Sequence, residues 1–107
     1  MTDSEFQTLL AKTLDVIETA CETLLQSTDT DIDAARNGAV LTLCFANASK
    51  IILNGQAPLQ QIWLAAKAGG YHYAWQNGAW RDTRDGSELL ASLARLAQAQ
   101  AGVTLSF

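Results

Sequence analysis

From about Asp3 to Leu25 the apolar residues keep a helical beat. Phe6, Leu10, Leu14, Ile17, Cys21 and Leu24 follow one another at spacings of three and four, which lines them on one stripe of an α-helix. Neither Gly nor Pro interrupts the stretch. Thr2 or Asp3 is placed to cap its start, and Glu5 in the first turn suits the positive end of the helix dipole. Asp15, Glu18 and Glu22 stand at i, i+3 and i+7. At about 100° per residue they fall in a narrow arc away from the apolar stripe and form a row of carboxylates.

After a connector at Ser27–Asp29 the period shortens. Asp29, Asp31 and Asp33 alternate, which in an extended chain sets all three on one side. Asn37-Gly38 predicts a two-residue hairpin turn. Leu41, Leu43 and Phe45 then alternate with Val40, Thr42 and Cys44. Asn47-Ala48-Ser49 turns the chain, Lys50 to Leu53 reads as the next strand, and Pro58 marks a loop or a strand start. Gln61 to Ala66 is a strand with Ile62 and Leu64 on one side and Trp63 on the other. Gly69-Gly70 is expected to break the chain before an aromatic strand from Tyr71 to Trp75. Asn77-Gly78 predicts a second hairpin, with Ala79 to Thr83 as its return.

Asp85-Gly86-Ser87-Glu88 has the form of a capping box with Asp85 as the cap. Leu89, Leu93 and Leu96, with Leu90, Ala94 and Ala97, continue it as a helix ending at Gly102. Val103 to Phe107 is a short tail expected to pack beside that helix. The expected fold is α+β: a two-layer sandwich with two helices packed on one face of a mainly antiparallel, five- to six-stranded sheet, one domain over residues 1–107. The opposite face then meets water, and strand parity puts Trp63 on it.

Composition narrows the function. The chain has 107 residues, 49% of them hydrophobic and 17% charged, enough for one two-layer core and against disorder. No apolar run reaches the ~18 residues of a membrane span. The opening MTDSEF reads as neither a secretory signal nor a transit peptide, so a cytoplasmic protein is expected. Two cysteines, outside any CxxC pair, give no disulfide scaffold; Cys21 and Cys44 read as reduced and non-catalytic. A net charge of −4 argues against a nucleic-acid partner.

That charge is segregated. Residues 1–33 carry eight acidic side chains against Lys12 alone, a net of −7, while residues 34–107 sum to +3. A charged helix face is commonly just solvated. Like charges at i, i+3 and i+4, however, weaken a helix by a few tenths of a kcal/mol per pair. A nearly unmixed acidic face therefore points to a cationic ligand or a basic partner.

Asp15, Glu18, Glu22, Asp29, Asp31 and Asp33 are the candidate metal ligands. Carboxylates are hard donors that suit Fe²⁺, Fe³⁺, Mn²⁺ and Ca²⁺ through charge, with little geometric selection. There is no HExxH, EF-hand loop or zinc spacing, so several weak, exposed sites are expected, with other divalent cations able to substitute and salt weakening all of them. His72, the one histidine, is a weak additional metal candidate. Without a catalytic constellation or a phosphate loop, no enzyme activity is expected.

The opening TDSEF, the segment DIDAARNGAVLTLCF, the strand SKIILN and above all PLQQIWLAAKAGGYHY, from Pro58 to Tyr73, resemble the frataxin family, most closely its bacterial branch. The resemblance covers nearly the whole chain in the same order of elements. It implies a role in iron–sulfur cluster assembly and weak, reversible binding of Fe²⁺ or Fe³⁺ along an acidic ridge on the first helix and the edge of the first strand. It also implies binding to the cysteine desulfurase and to its scaffold protein. Glu18, Glu22, Asp29, Asp31 and Asp33 would carry the docking, with Trp63 as a contact residue on the open face and Asn54 and Gln56 beside it. Docking would slow assembly, the more so with iron. A monomer is expected, with oligomers driven by metal.

This chain also departs from the family pattern. Leu24 to Thr28 is neutral, and Ala34, Ala35 and Arg36 add no carboxylate after Asp33. Fewer or weaker iron sites are expected, with electrostatic steering of partners less affected.

Overall fold

Thr2 opens the first helix, α1 (Asp3–Ser27), in a computed structural model that describes residues 1–107. Its hydroxyl accepts from the Glu5 backbone N–H at 3.0 Å, and the Glu5 carboxylate accepts from the Thr2 N–H at 2.9 Å. This reciprocal box satisfies two donors that the first turn leaves orphaned, and it holds the Glu5 carboxyl below its ordinary range. The predicted stripe is the buried one: Phe6, Leu10, Leu14, Ile17 and Cys21 all face the core.

Six strands follow: β1 (Ile32–Asn37), β2 (Val40–Phe45), β3 (Lys50–Gln56), β4 (Gln61–Ala66), β5 (Gly69–Gln76) and β6 (Ala79–Asp82). Each pairs antiparallel with the next, so the sheet is a meander in chain order with β1 and β6 at its edges. A 3-10 turn, Ala57–Leu59, with Pro58 inside it, links β3 to β4. The last helix, α2 (Leu89–Ala101), packs with α1 on one face of the sheet. It stops at Gly102, whose left-handed backbone (φ 65°) sends its N–H back to the carbonyls of Ala97 and Gln98.

Strand parity builds the core. Ile32, Leu41, Leu43, Phe45, Ile51, Leu53, Ile62, Leu64, Tyr73 and Trp80 point under the helices and join the α1 stripe and Leu89, Leu93, Leu96 and Ala97 of α2. The Trp80 indole donates to Thr13 Oγ1 of α1 at 2.9 Å, so the polar handle of a buried ring is satisfied across the layers. Where α1 crosses β3, a Cβ on Gly55 would drive into the Leu10 side chain and force it to shift; glycine lets helix and strand approach closely there.

Three local expectations change. The first hairpin turns on Gly38-Ala39 (Gly38 φ 59°), with Asn37 paired to Val40, one residue beyond the Asn-Gly signal. The second does turn on Asn77-Gly78, both at positive φ. Gly69 and Gly70 do not break the chain: they pair with Ala66 and Ala65 as the start of β5, and the turn falls on Lys67-Ala68. Neighbouring strands supply the hydrogen bonds that override the local breaker signal.

The cap of α2 is Glu88, not Asp85. The Glu88 carboxylate accepts from the backbone N–H groups of Leu90 and Ala91. Asp85 instead accepts from the Ser87 N–H at 2.9 Å, an Asx turn ahead of the helix; hydrogen bonding from the Ser87 side chain, and next from its backbone, lowers the Asp85 carboxyl from the ordinary value. The tail buries Val103 and Leu105 and runs along α1 as well as α2, with Phe107 half exposed beside Thr23 and Leu24.

Candidate functional site

Edge strand β1 is where the sequence-predicted acidic residues gather. α1 packs over it, and the short connector from Thr28 to Asp31 joins the two elements. Asp15 and Glu22 are exposed on the outer side of α1, Glu18 is half-buried, and Asp29 and Asp31 lie exposed in the connector. Only Asp33 lies within the strand. Parity there sets Asp33 opposite the buried Ile32, on the sheet face turned away from the helices, with Cys44 of β2 as its cross-strand partner. The acidic residues therefore wrap the sheet edge rather than stand on one plane. No three Asp, Glu, His or Cys side chains converge closely enough to hold a metal ion as a cage.

Arg36 decides the electrostatics of the helix half. It leaves β1 on the helix side, and its Nη1 donates to Asp15 Oδ1 at 2.6 Å and to Glu18 Oε1 at 2.9 Å. These are the two salt bridges of the molecule. Their hydrogen bonds, Glu18 first, raise the guanidinium above its already high ordinary value. Glu22, Asp29, Asp31 and Asp33 have no such partner. Sequence reasoning counted Arg36 as a missing carboxylate; its parity on β1 was the available signal that it turns toward α1.

The uncovered face of the sheet holds the second group. Trp63 of β4 lies on it, half-buried, while Ile62 and Leu64 point into the core. The Trp63 ring stacks flat on the His72 imidazole of β5, with centroids 4.2 Å apart and planes 8° from parallel. Its indole N–H donates to Gln61 Oε1 at 2.9 Å. Asn54 is the cross-strand partner of Trp63, and Gln56 that of Gln61. Ala35, Thr42, Ile52, Ala65 and Gly70 run across the sheet as an adjoining uncharged row. The pairing of Trp63 with His72 followed from strand register, which no motif announced. His72 lies several strands from the acidic edge.

The cysteines differ. Cys21 is buried on α1, and burial, followed by the nearby Glu18 and Glu22 charges, pushes its thiol up to about 11. A thiol so disfavoured as thiolate is neither a nucleophile nor a metal ligand at neutral pH. Cys44 is partly exposed on the open face, with Lys50 of β3 as its other cross-strand neighbour.

Comparison with known proteins agrees with this architecture along its whole length. Residues 1–103 match the frataxin-like domain family. The iron–sulfur cluster assembly protein CyaY of a Polaromonas species is 51% identical over 107 residues, covering 100% of this chain and 92% of that protein. The frataxin of Psychromonas ingrahamii, from the CyaY protein family, is 40% identical and superimposes with a TM-score of 0.88, covering 99% of this chain and 97% of that one. A trimeric frataxin of Saccharomyces cerevisiae, solved with ferrous iron, is 26% identical with a TM-score of 0.75, covering 88% of this chain and 86% of that one.

Proposed function

This chain belongs to the frataxin-like family, a non-enzymatic family of iron–sulfur assembly proteins, and from that premise we propose that it is an iron-binding regulatory adaptor of cluster assembly in the bacterial cytoplasm. Its acidic edge docks on a basic surface of the cysteine desulfurase. Trp63, with Asn54, contacts the scaffold or the desulfurase from the open face. The adaptor slows assembly, and iron on the carboxylates strengthens the effect. It acts as a monomer, and excess metal drives it into oligomers.

One observation carries this reading. Glu22, Asp29, Asp31 and Asp33 stand around one sheet edge with no internal counter-ion, beside a sheet face that no element covers. An uncompensated field of this kind recruits cations and speeds encounter with basic partners. Without a three-ligand cage, iron binds there weakly and reversibly, and other hard divalent cations compete. His72 is a lesser metal candidate, because its ring is engaged against Trp63.

The test is desulfurase-driven cluster assembly with and without this protein, each at low and high Fe²⁺. The expected result is a slowing that grows with iron and disappears when Asp29, Asp31 and Asp33 are all replaced by Lys. An unchanged rate in every condition sinks the adaptor reading.

The ferrous iron in the yeast relative favours a second reading, that of an iron carrier or store donating Fe²⁺. On that account the triple substitution has an effect only when iron is present, whereas for the adaptor it abolishes desulfurase binding without iron too.

A further inference from the structure

Arg36 is not a fork closed on one carboxylate. A single nitrogen, Nη1, lies between two carboxylates of α1, 2.6 Å from Asp15 Oδ1 and 2.9 Å from Glu18 Oε1. This is the place a hard cation bridging those oxygens would take, since such ions sit about 2.3–2.6 Å from each ligand. The Arg36 and Glu18 side chains are 26% and 27% exposed and that of Asp15 is 69%, so the bridge is shielded at Glu18 and open to exchange at Asp15. The remaining carboxylates, Glu22, Asp29, Asp31 and Asp33, carry no internal cation.

We propose that Arg36 is a built-in competitor for the helix half of the acidic edge. It divides the six carboxylates into an open group (Glu22, Asp29, Asp31 and Asp33) that takes divalent cations first, and a guarded pair (Asp15 and Glu18) that takes one only once the guanidinium swings away. The inference rests on the cation-binding reading above and adds an order of filling to it. Exposed ion pairs are individually weak, so the guard delays occupancy of the pair without forbidding it. It also lowers the number of cations held at limiting metal and leaves the field of the open group for a basic partner.

Ca²⁺, a diamagnetic hard cation, provides the probe. Side-chain carboxyl carbon shifts in NMR report each residue separately during the titration. In the unaltered protein Asp15 and Glu18 are expected to reach half-saturation at roughly three- to tenfold higher Ca²⁺ than the other four, the factor that one or two exposed ion pairs supply. Arg36→Gln should close that gap, and Arg36→Lys, which keeps a cation on the strand, should preserve it. Lys67→Gln removes an equal charge from the exposed turn between β4 and β5 and should leave the gap open.

A gap unchanged in Arg36→Gln overturns the guard, as does one that Lys67→Gln closes equally well. Simultaneous saturation of all six carboxylates in the unaltered protein also overturns it. If no carboxyl shifts at any Ca²⁺ concentration, the cation-binding reading itself fails, and that outcome is distinct from the others.

Discussion

The two faces of the sheet are made by the same strands and share almost nothing else. On β3, Ile51 and Leu53 are fully buried under the helices, while Ile52, between them, is 37% exposed on the other side. On β4, Ile62 and Leu64 are likewise buried, and Trp63 between them rests on His72 at the surface. The covered face is aliphatic and aromatic, interdigitated with two helices. The open face mixes small, polar and charged side chains, Asp33 and Lys50 among them, with Ile52 and one stacked aromatic pair. A meander with helices on one side only separates the residues that hold the fold from those free to meet a partner, and it does so at every second position.

The sharpest way to break this comparison is to truncate neighbours on one strand. Leu53→Ala should destabilise by about 2–5 kcal/mol, the range for a buried leucine that leaves a cavity. Ile52→Ala, one residue away, should fall below about 1 kcal/mol. Urea unfolding of the two variants measures the difference, and equal losses would mean that the open face is not open.

Cys21 tests the covered face by pH. Its thiol is raised from 9.0 to about 11 in the folded state, so folding favours the protonated form. That contribution is complete below pH 9 and is lost as pH rises toward 11, by an amount on the order of 2 kcal/mol. Burial also pushes the Tyr73 phenol up, which adds a loss in the same direction. Melting temperatures from pH 8 to 11 should therefore fall more steeply for the unaltered protein than for Cys21→Ala, in which only the loss at Tyr73 remains.

Trp63→Ala sharpens the comparison from the other side. It removes a stacked pair of the kind worth about 0.5–1.5 kcal/mol, so stability should fall by only about 1 kcal/mol in urea. Binding to the scaffold or desulfurase, followed by titration calorimetry, should weaken by tenfold or more. A variant that loses several kcal/mol of stability while binding normally would reassign Trp63 to the fold.

Much of this was legible in the chain. The period of Phe6, Leu10, Leu14, Ile17 and Cys21, and the alternation around Leu41 to Phe45 and Ile62 to Leu64, are local, because burial on one face imposes the repeat of the element that bears it. The acidic residues were legible as a list. Their arrangement was not, because Asp33 and Arg36 sit on the same short strand and parity sends them to opposite faces of the sheet.

Turns and caps were read less well. Asn37-Gly38 and Asn77-Gly78 carry the same local signal, yet only the second turns where it stands. Pairing across β1 and β2 sets the first turn one residue later, on Gly38-Ala39. At α2, Glu88 caps in place of Asp85 because Asp85 is held in its own turn with Ser87.

The sequence by itself determined the two helices, the strand faces, the segregation of charge and the family. These depend on residue type at short spacing, where side-chain direction follows directly from the backbone period. Only the tertiary structure decided that Arg36 bridges Asp15 and Glu18 across 21 and 18 residues of chain, and that His72 stacks on Trp63. Such contacts depend on which strands lie side by side and in what register, and register is set by the packing of the whole covered face at once.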